Sequence, residues 1–123
     1  MTEVTPVKTL TIFLTTTPYA FENTYTALQL ARVALDKGYA VNLFASADGV
    51  YNFTQGQQPK GLPDAGKEFA ELIERGLRVG LCGTCLNFRG IGAEDVLPGS
   101  APSSMKRLFG LIKSSDVVIT LGN

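Results

Sequence analysis

The 123-residue chain is 45% hydrophobic and 18% charged, enough apolar surface for one domain, residues 1–123, to bury its own core. The formal net charge is zero with no blocks of one sign, and no run approaches the roughly 20 apolar residues that cross a bilayer, so neither nucleic acid nor a membrane is the expected partner. Histidine is absent, which excludes Ser-His and Cys-His nucleophile pairs and histidine-ligated zinc.

The polar start MTEVTPVKT has no signal-peptide core, so the cytoplasm is the expected compartment. KTLTIFLTT (8–16) is rich in β-branched and aromatic residues without clean alternation, the pattern of a strand covered on both faces. From Tyr19 to Lys37 the period changes: Tyr25, Leu28, Ala31 and Leu35 recur at helical spacing and Gly38 stops the run. YAVNLFAS (39–46) is a second buried strand, and strand, helix, strand is the unit that sets strands parallel.

ADGVYNFTQGQQPKGLPDAG (47–66), dense in Gly, Pro, Asn and Gln, reads as a long surface loop with one helical turn near Val50. Lys67–Arg75 is a predicted helix with Asp64 as N-cap and Gly76 as its stop, and LRVGLC (77–82) a third strand. A helical turn follows through Thr84 to Phe88, then a loop over 91–104, a helix over 104–115 and a last strand over 116–123. This alternation predicts an α/β three-layer sandwich, flavodoxin/Rossmann-like, with a mostly parallel central sheet of four to five strands and helices on both faces. Ligands and chemistry collect at the carboxyl ends of such strands, where the loops after Thr15, Ser46 and Leu81 meet. Thr15-Thr16-Thr17 lacks the glycines of a phosphate-cradling loop.

Both cysteines fall in GLCGTCLNFRG (80–90). In a reducing compartment they are expected as free, catalytic or metal-binding thiols rather than as a structural bridge. Four readings of Cys82-Gly83-Thr84-Cys85 compete on spacing alone. Cys82, at a strand end before a helical turn, is placed for backbone N–H groups to favour its thiolate, with Gly83 allowing close backbone approach and Arg89 adding positive charge. Alternatively the pair is a redox dithiol, two of the four ligands of a zinc site, or two small buried apolar side chains. Zinc lacks further cysteines and histidines.

The stretch LCGTCLNFRGI resembles the cysteine motif of the DsrE/DsrF-like sulfur-relay family, its YchN-like branch in particular. TTTPYAFENTYTALQLARVAL resembles the family's first loop and helix, VNLFASADGV its second strand and turn, and GQQPKG its mobile loop, so the likeness covers nearly the whole chain. In relay members the sulfur-accepting cysteine lies eight residues before the glycine of Arg-Gly, which by resemblance assigns the catalytic role to Cys82 and an assisting or resolving role to Cys85. The resemblance further implies homotrimers or hexamers, sulfur donor and acceptor proteins as partners, and persulfide chemistry with no cofactor. A departure is Ala20, where many relatives carry glycine after Pro-Tyr.

Glu22 opens the first helix, where it either faces the cysteine site or complements the helix dipole. Tyr19, Asp48 and Asn52 are placed in loops at the same edge. The expected function is therefore a sulfurtransferase-type carrier of sulfane sulfur. The alternatives are an oligomeric binding module with inert thiols and a dithiol oxidoreductase.

Overall fold

The computed structural model describes residues 7–122. Five strands form one all-parallel sheet: β1 (Thr9–Leu14), β2 (Ala40–Ala45), β3 (Arg78–Cys82), β4 (Ser100–Ser103) and β5 (Val117–Leu121), in the order β4-β3-β2-β1-β5. Parallel pairing requires crossovers, and these are α1 (Asn23–Asp36), α2 (Ala65–Glu74), the six-residue α3 (Gly83–Phe88) and α4 (Met105–Ser114). The α/β architecture agrees with the alternation of patterns in the sequence. No helix among the described residues is long and apolar enough to cross a membrane.

Period-2 alternation along each strand divides the molecule into two unequal cores. Leu10, Ile12 and Leu14 of β1 with Val41, Leu43 and Ala45 of β2 face the larger one, closed by the helix stripe Ala27, Leu28, Ala31 and Ala34 and by Phe69 and Leu72. Phe53 from the turn after β2 packs on Phe69 in a tilted arrangement with ring centroids 4.6 Å apart. The opposite sheet face carries Phe13, Phe44 and Cys82 under Leu108 of α4, with the Phe13 and Phe44 rings 6.1 Å apart. A single helix thus covers the second face, and Met105, Phe109 and Ile112, spaced along one side of α4, remain exposed.

Caps locate the helix ends. The Asp64 side chain accepts the Lys67 N–H at 3.1 Å, as the sequence predicts, and Ser104 accepts that of Arg107 at 3.3 Å. Several elements differ from expectation, among them α2, which opens at Ala65, two residues before the predicted Lys67. Helix α1 starts four residues later than the periodicity suggests, after Pro18–Glu22 has turned through the left-handed Tyr19 (φ 70°). The 91–104 segment holds a strand, β4, that its composition hides: four residues, polar and containing Pro102, are tolerated because β4 is a sheet edge.

Candidate functional site

The C-terminal edge of the sheet brings the exits of β2 and β3 together. Strand β2 ends at Ala45, and the chain bends through Ser46 into a 3₁₀ segment, Ala47–Phe53. The Ser46 N–H donates to the Leu14 carbonyl at 3.0 Å, which anchors this exit to β1. Gly49 lies so close to β1 that a Cβ there would collide with the Leu14 carbonyl oxygen. Asn52, fully buried, secures the turn: its amide donates to Thr16 O at 2.9 Å and Gly49 O at 2.8 Å, and its oxygen accepts from the Thr24 hydroxyl at 2.6 Å. Ala47 is consequently held in the left-handed region at φ 51°, a conformation unfavourable for a residue with a Cβ.

That strained residue meets Cys85. The Ala47 N–H lies 3.1 Å from the Cys85 Sγ, and the Ser46 hydroxyl lies 3.5 Å from the same sulfur. Burial pushes the Cys85 thiol up, but hydrogen bonds from the Ser46 hydroxyl, the Cys82 thiol and the Ala47 N–H, with the nearby Arg89 charge, outweigh it and hold the thiol below its ordinary value. Cys85 is half-buried, and both cysteines are free thiols.

Arg89 is fixed on this side of the molecule. Its Nε and Nη2 donate to Asp48 Oδ1 at 3.0 and 2.8 Å, and its Nη1 donates to the Cys85 carbonyl at 3.1 Å. The Tyr51 ring lies beneath the guanidinium, 6.0 Å from its centroid. Asp48 comes from the β2 exit and Arg89 from the end of α3, so the ion pair ties together the two segments that frame the sulfur.

The sequence-based assignments divide accordingly. Cys82, expected as the sulfur-accepting nucleophile, is 7% exposed, packs with Phe44 and Leu108, and stands at the N-cap of α3 with no capping side-chain hydrogen bond. Arg89 and Asp48 do reach the site, beside Cys85. Gly83 is not required by close approach: its φ is not left-handed, and a Cβ would meet only Ser103 O at 3.4 Å. Glu22 is exposed at the α1 N-cap position and makes no capping hydrogen bond. Tyr19 serves the long loop instead, donating to Gln57 Oε1 at 2.5 Å and accepting from the Ala65 N–H at 3.3 Å; burial raises its phenol above the ordinary value. Asn52 is architectural. Sequence reasoning missed Ser46, Ala47 and Gly49, whose signal is only the Ala-Ser-Ala-Asp-Gly stretch where an apolar strand runs into small residues.

Chemically, this is a thiol whose charged form is favoured, at the C-terminal end of a parallel sheet, packed against the cluster that holds the second thiol. Among the described residues no group of three or more His, Cys, Asp or Glu side chains is placed to hold a metal.

The chain is 36% identical over 110 residues to an uncharacterized protein of Methanocaldococcus jannaschii, covering 89% of this chain and 96% of that one. It is 35% identical over 113 residues to an uncharacterized protein of Methanopyrus kandleri, covering 92% and 93%. In structure it is similar to the ychN protein from E. coli, with a TM-score of 0.87 at 24% identity over 94% of this chain and 100% of that one. A protein of unknown function from Methanobacterium thermoautotrophicum has a TM-score of 0.76 at 14% identity over 93% and 99%. The fold is thus that of YchN, and because the DsrE/DsrF-like family model matches residues 8–121, the chain belongs to the DsrE/DsrF-like family.

Proposed function

We propose that the chain carries sulfane sulfur as a cysteine persulfide on its Cys82–Cys85 pair, taking it from one sulfur-bearing protein and handing it to another. The observation that carries this reading is the Cys85 sulfur, which accepts the Ala47 N–H and lies beside the Ser46 hydroxyl at the sheet edge. Hydrogen bonds and positive charge aimed at sulfur favour the thiolate, and the thiolate is the nucleophile in every sulfur exchange. Membership of a family associated with sulfur relay supports the same reading. The reaction is redox-neutral in each direction and requires no organic cofactor. We place it in the cytoplasm, where thiols are kept reduced.

Incubation with polysulfide followed by intact-mass measurement tests this. The expected result is the gain of one sulfur atom, removed by a reducing thiol; no adduct favours an inert binding module. The Cys-x-x-Cys spacing, with Cys85 packed against the cluster that holds Cys82, gives the oxidoreductase reading its one support. That reading requires a Cys82–Cys85 disulfide that forms and reduces reversibly, with no sulfur gained.

The proposal includes assembly of copies of the chain, a trimer or hexamer, through the α4 side. Phe109 is 62% exposed there, with Met105 and Ile112 beside it and Val118 of the β5 edge on the same sheet face. A surface of large apolar side chains at helical spacing is the usual mark of an interaction face.

A further inference from the structure

We infer that Cys85, rather than Cys82, is the thiol of the pair that takes up the incoming sulfur, and that the exit of β2 is the cradle for the persulfide; this rests on the proposed sulfur handling. Both the surroundings and the space available distinguish the two sulfurs.

Cys82 lies on the strand face that α4 covers, with Phe44 and Leu108 against it and 7% of its surface exposed. Sulfur transfer requires an approach in line with the bond being broken, and a persulfide adds a third-row atom to the side chain. A close-packed apolar cluster offers neither the path nor the volume without displacing its neighbours. Cys85 is half-buried and borders both cores, and its sulfur receives the left-handed Ala47 N–H at 3.1 Å and the Ser46 hydroxyl at 3.5 Å. These two donors come from a turn whose shape is fixed from beneath by Gly49 and Asn52, so they are in place before sulfur arrives. The titratable and charged groups facing the sulfur are Cys82 and Arg89, the latter carrying Asp48 and Tyr51 with it.

The Cys85 thiolate attacks the outer sulfur of a donor persulfide; the Cys85 Sγ–S bond forms, the donor's S–S bond breaks, and the donor leaves as its thiolate with the electron pair. The outer sulfur keeps its proton. An acceptor thiolate then attacks that outer sulfur, and Cys85 leaves as thiolate, ready for a second cycle.

Two readouts test the assignment. In the native wild type, limited iodoacetamide labelling followed by peptide mapping across pH is expected to modify Cys85 first, several-fold faster than Cys82 and with a midpoint below that of free cysteine. After polysulfide treatment, Cys82→Ala is expected to retain the added sulfur and Cys85→Ser to lose it. Labelling of Cys82 first, or sulfur kept by Cys85→Ser and lost by Cys82→Ala, overturns the inference. If the wild type gains no sulfur while Cys85 is still labelled first, the persulfide reading fails and Cys85 stands as the nucleophile of the pair. Because the labelling uses wild-type protein, a variant that fails to fold does not decide the matter.

Discussion

The backbone N–H of Ala47 points at the sulfur of Cys85 across 3.1 Å, joining the exit of β2 to the short helix after β3. Ala47 adopts φ 51° to do so, a conformation that costs an L-residue roughly 1 kcal/mol or more. Local preference and site geometry conflict at this residue, and such conflicts concentrate where a structure does chemistry.

The hydroxyl of Ser46 gives the first prediction. Removing a donor from a thiolate weakens the charged form, so Ser46→Ala is expected to raise the pH midpoint of Cys85 alkylation and slow labelling at pH 7 by roughly fivefold, the worth of one net hydrogen bond. Ser46→Thr, which keeps the hydroxyl, is expected to restore the rate. The sign for stability follows from linkage. The folded-state thiol is depressed, so its contribution is complete above the unfolded thiol value of about 8.5 and is lost as pH falls through the folded value. Urea titrations of wild type against Cys85→Ser are therefore expected to diverge in favour of the wild type as pH rises through that window.

Gly49 is irreplaceable for a steric reason. In Gly49→Ala the new methyl group collides with the Leu14 carbonyl, and the turn must move away from β1. The expected cost is about 1–3 kcal/mol in urea unfolding, together with slower Cys85 labelling because Ala47 moves with the turn. Full stability with unchanged labelling would show that the turn does not set the sulfur's environment.

These residues also show where the sequence was legible. The α/β sandwich was legible because its cores demand apolar strands and an apolar helix stripe: β1 reads as apolar without clean alternation since both its faces are covered, and of the helical stripe read at Tyr25, Leu28, Ala31 and Leu35 the middle two are buried while Tyr25 and Leu35 pack partly buried against the core beside Ala27 and Ala34. Asp64 was readable as a cap because its side chain does the capping. The Ala47 donor was not readable, since any residue but proline offers an N–H and only the fold decides where it points. Strand β4 was hidden by its polar edge composition. From its place at a strand end and from the family motif, Cys82 reads as the nucleophile; that the β2 exit meets Cys85 was not readable, because spacing along the chain does not say which sulfur a neighbouring strand exit will reach.

Arg89 and Asp48 bear on reactivity more than on stability. Their side chains are 22% and 58% exposed, and pairs of that kind contribute roughly 0–1 kcal/mol. Arg89→Ala is expected to leave the urea midpoint nearly unchanged yet slow Cys85 labelling, and added salt is expected to narrow the gap between variant and wild type. Arg89→Lys is expected to rescue only partly, because a lysine cannot hold Asp48 and the Cys85 carbonyl at once.

The exposed side of α4 gives a prediction about assembly. A charge placed at Phe109 would be buried wherever copies meet on this face, so Phe109→Glu is expected to lower the molar mass in light scattering toward that of one chain without loss of helical circular dichroism. An unchanged assembly would exclude this face as the contact.

Delivery of sulfur is the most direct measurement of all. Protein loaded from a labelled persulfide, freed of excess donor and mixed with a thiol acceptor, is expected to pass its one labelled sulfur to the acceptor in a single turnover and return to its native mass with both thiols free. A chain that never gains the label, or that holds it against every thiol offered, would contradict a role in carrying sulfur.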